Sequence, residues 1–480
     1  MTLRGGLCPF MVILFFLLSG CARVGPDFRK PAAAVSGSWL EAGDPRVKTG
    51  PAEYKNWWQA FNDPVLNRLV DRAYQENLPL KMAGVRVLEA RARLGIALGG
   101  LYPQTQQFFG SLEYIRTSER APTAAFSNIS SYRQVQIGLM AGWEIDFWGK
   151  FKRAIEAAEA GFQATMADYD NALVSLTAEV ANAYILLRTL EKRLGLARQN
   201  ADRQKEILKI AEARFQYGVV TRLDVEQAKT LLHNIQASIP AFEAQVQQAN
   251  NALSLLLGLP PGGLGDYLSG PAEIPVSPAE VVVGIPNDLL RRRPDIRSIE
   301  FQAAAQCALI GVAKAELYPA FSLSGVFSFF STDVNAFKLS DVFQWGSRSI
   351  SAGPSFRWNI FNYGRIENNV LVQDARFQQL LIAYQEAVLK AQKEVEDALV
   401  AFLKAQERRE FLARSAAAAG HSLDLAIRQY QEGARDFTTV LIAQQAFLNE
   451  QDNLALALGT VSGNLVGIYR ALGGGWEVGR

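Results

Sequence analysis

The stretch LRTLEKRLGLARQNADRQKEILKIAEARF, residues 187–215, decides the fold class. Mostly apolar or small residues recur in it at alternating steps of three and four, which is the seam of a coiled coil. The seam positions are Leu187, Leu190, Leu194, Ala197, Ala201, Gln204, Leu208, Ala211 and Phe215. A helix through this seam, from about Lys150 to Tyr217, would be roughly 100 Å long. The pattern predicts a mainly α-helical protein with long coiled-coil helices.

A second tract of the chain carries the same pattern. No proline follows Pro354 and none lies between Pro122 and Pro240, so helices need not break in either tract. The second tract contains two seams: Val388, Ala391, Val395, Ala398, Phe402 and Ala405, then Phe447, Gln451, Leu454, Leu458, Val461, Leu465, Ile468 and Leu472. Many seam residues are alanine, which an ordinary helical bundle or a short-repeat solenoid would also show.

Short motifs recur at a spacing of about 215 residues, which indicates an internal two-fold repeat. The recurring pairs are Leu101-Tyr102-Pro103 with Leu317-Tyr318-Pro319, Trp143-Glu144-Ile145 with Trp358-Asn359-Ile360, and Arg214-Phe215-Gln216-Tyr217-Gly218 with Gln429-Tyr430-Gln431-Glu432-Gly433. We predict an extended N-terminal segment at 21–63, a first repeat at 64–257, a linker rich in proline and glycine at 258–286, a second repeat at 287–476 and a tail at 477–480.

Each predicted repeat contains a helix, a β-hairpin and a long helical hairpin. The β-hairpins are predicted at about 104–147 and 321–361, where apolar and polar residues alternate with a period of two. Each segment is about as long as a tilted membrane strand, although a soluble sheet with one buried face would alternate in the same way. Four strands cannot close a membrane barrel, and open edges are not tolerated in lipid, so subunits must combine. Two subunits would give eight strands and three would give twelve; a water-filled conduit favours three.

The N-terminus has the features of a secretory signal at residues 1–20. Arg4 precedes an apolar run at 10–18, and Leu18-Ser19-Gly20-Cys21 resembles a bacterial lipobox, which predicts a covalent lipid on Cys21. Ordinary signal cleavage near Cys21 is the alternative. Ala22 follows the cysteine where an aspartate would resemble an inner-membrane retention signal, so we expect outer-membrane sorting. The mature chain has no apolar run of about 18 residues, and we expect no transmembrane helix.

Composition argues against several classes of function. The 480 residues include 49 Lys+Arg and 47 Asp+Glu, so the chain is not generally basic and we expect no nucleic-acid partner. We interpret the run 291–293, three arginines, as structural or solvent-facing. Only 2 His and 3 Cys are available; His233 and His421 lack a nearby ligand partner, so we predict no metal site, no cofactor beyond the lipid and no enzymatic activity.

The chain resembles the TolC-type outer-membrane efflux factors over essentially its whole length, and within them the OprM-like and NodT-like lipoprotein branch. The motifs that carry the resemblance are residues 21–28 (CARVGPDF), 143–149 (WEIDFWG), 289–296 (LLRRRPDI) and 472–476 (LGGGW). The resemblance implies a homotrimer with a twelve-stranded β-barrel in the Gram-negative outer membrane and an α-barrel tunnel in the periplasm. In such a system, substrates such as antibiotics arrive from an inner-membrane RND-type pump through a periplasmic adaptor (membrane fusion) protein.

Two other functions fit parts of the sequence. A structural coiled-coil lipoprotein of the outer membrane would explain the heptads and Cys21 without conduction, but it would not explain paired alternating strands. A type I protein-secretion exit duct is the other alternative.

The helical tips are predicted at the turns 218–224 and 433–439, where glycine supplies the backbone freedom that a reversing helix needs. The resemblance implies adaptor contact at Gly218, Thr221, Asp224 and Gly433. Simple turn residues would show the same pattern.

The resemblance places a periplasmic gate at the second turn and the start of its following helix. Well-known members carry aspartates there, whereas this chain has Thr438, Thr439 and Ile442, with Asp436 as the nearest acid. We therefore predict closure by packing and hydroxyl contacts, an apolar constriction at Ile442 and weak cation block. These residues would alternatively pack between helices.

Overall fold

The computed structural model describes residues 23–50, 54–118, 120, 131–270, 272–288, 292–334 and 336–476. The predicted signal at 1–20, the lipidation site Cys21, Arg291 and the tail at 477–480 lie outside the described residues.

Helices dominate the fold. The α-helices are α1 (Pro64–Glu76), α2 (Leu78–Gly99), α3 (Lys150–Gln216), α4 (Arg222–Leu256), α5 (Pro294–Ala315), α6 (Arg365–Gln431) and α7 (Phe437–Ala471). Both α3 and α6 have 67 residues, α4 and α7 have 35, and α2 and α5 have 22. The long pairs α3–α4 and α6–α7 form two helical hairpins of equal size.

Four long strands form one antiparallel sheet. They are β2 (Thr105–Arg116), β3 (Ser131–Ile145), β5 (Ala320–Thr332) and β6 (Arg348–Arg357), in the order β2-β3-β5-β6. The predicted hairpins are the pairs β2–β3 and β5–β6, and β3 joins them by pairing with β5 from Gln134↔Thr332 to Ile145↔Phe321. Among the described residues, the outer edges of β2 and β6 have no strand partner.

A second, small sheet lies partly within the segment that we interpret as a linker. β1 (Val47–Thr49) pairs in parallel with β4 (Val281–Val283). Nearby, the Trp39 indole donates to the Gly284 carbonyl at 2.6 Å, and Arg46 forms ion pairs with Asp44 and Glu407. The N-terminal segment is thereby held against the 258–286 segment and helix α6.

The chain divides into two compact units. One contains Val87–Thr165 and Ile299–Ala383 with the described residues 23–31, and it holds the four-stranded sheet. The other contains Ala32–Arg86, Met166–Ser298 and the described residues 384–476, and it holds most of both helical hairpins.

Burial along α3 follows the predicted seam up to Gln204 and then departs from it. Leu187, Ala201 and Gln204 are buried. The seam then passes through Ile207, which is 4% exposed, and Ala211, while Leu208 is only half-buried and Phe215 is 43% exposed. The heptad prediction is wrong at the last turns, because the helix takes a step of three earlier than the sequence pattern suggested.

One window of α3 is long and apolar enough to cross a membrane by length and composition, contrary to our expectation of none. Of this window, 67% is buried inside the protein. A core helix passes the same test, and the burial fits that origin.

Candidate functional site at the helical turns

The long helices α3 and α6 are each followed by a glycine with a left-handed backbone, two residues after the last helical residue. The φ angles are +74° at Gly218 and +81° at Gly433. After each glycine, a backbone N–H returns to the helix: Val219 donates to the Arg214 carbonyl at 2.9 Å, and Ala434 donates to the Gln429 carbonyl at 2.8 Å. This hydrogen bond is typical of a Schellman C-cap, in which glycine avoids the steric cost of positive φ. The two turns, 217–221 and 432–436, therefore have the same backbone design.

One hydrophobic cluster underlies both turns. Its buried members come from all four long helices and are Ile207, Ala211, Val225, Ala228, Leu423, Ala426, Tyr430, Phe437, Val440, Ala443 and Phe447. Because residues that are more than 200 positions apart share this core, the turns are held as one structural unit.

The helix that follows the first turn begins without a side-chain cap from its N-cap residue. Thr221 and Asp224 are near each other, with the threonine hydroxyl donating to the Asp224 carboxylate at 3.4 Å. Thr221 is exposed and Asp224 is half-buried.

The helix that follows the second turn is capped by Asp436. This carboxylate accepts from the Thr439 backbone N–H at 3.1 Å and from the Thr439 hydroxyl at 2.8 Å. These hydrogen bonds hold the pKa of Asp436 below its ordinary value of 3.8. The contact stabilises the ionised form, so the cap is present at neutral pH and is lost as the pH falls through the lowered pKa.

The predicted gate residues lie at the start of α7. Thr438 is exposed, Thr439 is half-buried and Ile442 is 66% exposed. Because Thr438 and Ile442 are four residues apart, they lie on the same side of the helix. This face is not covered by any other described part of the chain.

Arg214 joins the two turns, a contact that the sequence analysis missed. Its guanidinium donates to the backbone carbonyls of Tyr430 and Gln431, the latter at 2.7 Å. It also lies over the Tyr430 ring, 4.8 Å from the ring centroid. A cation at a helix C-terminus satisfies carbonyls that lack a helical partner, so Arg214 in the first hairpin caps the long helix of the second. The sequence did contain a sign of this difference, because the recurring motif has Arg214 in the first repeat and Gln429 at the same position in the second.

Arg293 and His233, which the sequence analysis considered as charged or ligating residues, contact other side chains of the protein. Arg293 is buried and forms ion pairs with Asp295 at 2.6 Å and with Glu394 at 2.7 Å. His233 contacts Gln236 on its own helix at 3.1 Å. Within the part of the chain that the structure describes, no group of three or more His, Cys, Asp or Glu is placed to hold a metal ion.

The segment Val24–Asp27, near the start of the described chain, is held in place by contacts with Arg153 and Trp148. Arg153, whose side chain is 1% exposed, donates to the carbonyls of Val24 and Gly25 at 3.2 Å and pairs with Asp27 at 2.7 Å. The hydrogen bond from Arg153 lowers the pKa of Asp27. The Val24 N–H donates to the Trp148 carbonyl at 3.1 Å. The described residues of two motifs that carry the family resemblance, 23–28 and 143–149, therefore meet at the start of α3.

Two helical hairpins of equal size, together with an open four-stranded antiparallel sheet, are the architecture of a membrane channel protein. Residues 69–259 and 285–474 match the family model described as outer membrane efflux protein. The chain belongs to this family, whose members are transport channels of the outer membrane.

Relatives and solved structures agree over nearly the whole chain. The pyoverdine export outer membrane protein OpmQ of Pseudomonas aeruginosa is 31% identical over 96% of each chain. The probable outer membrane lipoprotein SilC of Salmonella typhimurium is 27% identical over 96% of this chain and 97% of SilC. The solved outer-membrane channel OprN superposes with a TM-score of 0.86 at 32% identity, covering 94% of this chain and 99% of that one. These matches confirm the predicted resemblance, the outer-membrane location and the mainly helical channel fold.

Proposed function

We propose that this protein is the outer-membrane channel of a tripartite efflux system. It conducts substrates passively to the exterior from an inner-membrane RND-type pump, through a periplasmic adaptor protein. The observation that carries the proposal is the four-stranded sheet, whose two outer edges have no strand partner among the described residues. In lipid, such edges must be paired.

The faces of the sheet support insertion into lipid. The strand register places Phe108, Leu139, Phe327 and Ile350 in one row across all four strands. Phe108, Leu139 and Ile350 are 70%, 57% and 69% exposed. The neighbouring positions on the opposite face are more polar; Gln136, for example, donates to Ser328 at 3.1 Å. One apolar and one polar face are what a barrel strand needs between lipid and a water-filled lumen.

Pairing of the free strand edges between copies favours a homotrimer with a twelve-stranded barrel. Each subunit is proposed to contain an internal two-fold repeat. Three copies give a barrel wide enough for water, whereas two would give one filled by side chains. Helix α2 adds support: only Leu80 in it is buried, while Met82, Val85 and Leu88 are each more than half exposed. Neighbouring copies would cover this apolar surface. Equal helix lengths in the two halves support the repeat.

Conductance in a planar lipid bilayer, with native mass spectrometry of the same sample, tests the proposal. We expect a trimer that conducts ions in discrete steps. A structural lipoprotein would not conduct, and a stable monomer or dimer as the conducting species would exclude the trimer. A type I secretion duct would conduct but would export protein rather than small molecules from cells.

Cys21 is the proposed lipid acceptor. The ordered segment from Val24 to Asp27 would hold the acyl chains close to the start of α3, and the lipid adds to anchoring by the barrel. Mass spectrometry of the mature N-terminus should find a diacylated Cys21. An unmodified Cys21, or a chain that begins elsewhere, would contradict this proposal.

The second turn and the start of α7 are the proposed gate. Three copies of the exposed face with Thr438 and Ile442 would form a ring, and Ile442 would make its apolar constriction. Asp436 already accepts two hydrogen bonds from Thr439, which supports a capping role over a cation-binding ring. The proposed adaptor contacts lie at the turns, with Gly218, Thr221, Asp224 and Gly433 as part of that surface.

A further inference from the structure

The two turns expose different side chains although their backbones match. Tyr217 and Val219, on either side of the first glycine, are 84% and 60% exposed, and Leu223 is 63% exposed. The corresponding positions around Gly433 are occupied by Glu432, Ala434 and Thr438, all of which are exposed. At these three positions the first turn therefore presents large apolar side chains, whereas the second presents a carboxylate, a methyl group and a hydroxyl group.

Folding does not account for these apolar side chains. The cluster beneath the turns is already filled by other residues, and Tyr217, Val219 and Leu223 do not belong to it. Large exposed apolar groups that lie together mark an interaction surface more often than isolated ones do. Tyrosine is also among the residues enriched where binding energy is concentrated.

The position of the surface indicates what covers it. Tyr217 and Val219 lie between the last residue of α3, Gln216, and the first residue of α4, Arg222. They are at the end of the hairpin, whereas copies packed side by side would contact the flanks of the helices. A partner that meets the hairpin end-on therefore fits this surface better than a second copy of the chain.

We propose that the Tyr217–Val219–Leu223 surface is the main anchor for the periplasmic adaptor, and that it packs against apolar side chains of the adaptor. This inference rests on the proposed function. The second turn contributes little apolar contact, so adaptor binding is carried unequally by the two turns. Arg222, which is exposed beside the surface, supplies a polar rim.

Matched double variants at the two turns test the inequality. Tyr217→Ser with Val219→Ser removes the first surface, and Glu432→Ser with Ala434→Ser changes the same two positions of the second turn. Both pairs alter exposed side chains, so both proteins should fold. We expect ethidium efflux from cells that carry the complete system to fall about tenfold or more in the first variant, because aromatic anchors dominate binding, and to stay near wild type in the second.

Photocrosslinking identifies the partner. With benzoylphenylalanine in place of Tyr217 in intact cells, we expect cross-linked peptides from the adaptor, and far fewer with the same probe in place of Glu432. Peptides from a second copy of this chain at 217, equal adaptor yields at both positions, or equal efflux losses in the two double variants would each overturn the inference. Bilayer conductance of the wild type separates this failure from failure of the proposed function: a conducting wild type whose first double variant still exports normally refutes only the unequal anchor.

Discussion

The two helical turns have the same backbone conformation but expose different side chains. Each has a glycine at positive φ and a return hydrogen bond to the preceding helix, and both rest on one hydrophobic cluster. The first turn exposes Tyr217 and Val219, and its Arg214 reaches across to the second. The second has a polar surface and an aspartate cap. The shared core imposes the same backbone on both turns, whereas their surfaces differ, as proposed docking at the first turn and proposed gating at the second would require.

The largest effect on efflux is expected from replacing the glycine at positive φ that both turns contain. Gly218→Val or Gly433→Val places a β-branched side chain at positive φ, which costs about 1–2 kcal/mol or more and displaces the turn. We expect either variant to lose efflux while native mass spectrometry still finds trimers. Gly218→Asn and Gly433→Asn are the matched controls, because asparagine tolerates this conformation better, and they should retain most of the export. Normal export by the valine variants would show that turn geometry is unimportant for docking.

The next effect concerns the link between the turns. Arg214→Ala removes a charged donor that caps the second hairpin, and such hydrogen bonds contribute about 1.5–3 kcal/mol. We expect the resting conductance in bilayers to rise by about tenfold, because the second turn is freed to move. Gln429→Ala, at the same position before the other glycine, should leave it unchanged. Equal conductance of the two variants would mean that the link does not restrain the gate.

A smaller effect is expected at the proposed constriction. Ile442→Ala shortens an exposed apolar side chain on α7, so an apolar ring there would wet more easily. Resting conductance and antibiotic leakage should rise a few-fold, with Thr438→Ser as a milder version. Gln227→Ala changes the corresponding position after Gly218 and should have no such effect. Equal leakage from both alanine variants would place the gate elsewhere.

The smallest effect is expected at Asp436. Asp436→Asn keeps an N-cap acceptor, so efflux and block by millimolar divalent cations should change only slightly. Since the folded pKa of Asp436 is lowered, the wild-type turn should loosen as the pH drops below 3.8, and the asparagine variant should lack this dependence. Hydrogen exchange of the 433–440 backbone at several pH values measures this loosening of the turn. Strong divalent block that Asp436→Asn abolishes would reveal an acidic ring.

The long helices were predictable because their signals are local and repeated. The heptads and the proline-free tract predicted a helix from about Lys150 to Tyr217, and α3 runs from Lys150 to Gln216. The alternating strands were likewise recognisable from their period. The shift of the buried seam from Leu208 to Ile207 was not predicted, because in the sequence a seam through either residue has regular steps of three and four.

Long-range contacts and very short elements escaped prediction. Arg214 meets the carbonyls of Tyr430 and Gln431 across more than 200 residues, and no local pattern encodes such a pairing. The strands β1 and β4 have three residues each, too few to show a period. The tips were located from their glycines, but the exposed apolar side chains of the first turn became apparent only from burial.

Cysteine accessibility within a conducting channel tests most directly whether the start of α7, after the second turn, lines the pore and the start of α4, after the first turn, does not. The wild type is a suitable background, since its described cysteine, Cys307, is 1% exposed. We predict that a charged methanethiosulfonate reagent reduces the single-channel conductance of Ile442→Cys and leaves Gln227→Cys and the wild type unchanged. Equal reduction in the two variants, or reduction in Gln227→Cys alone, would contradict the division of labour between the turns.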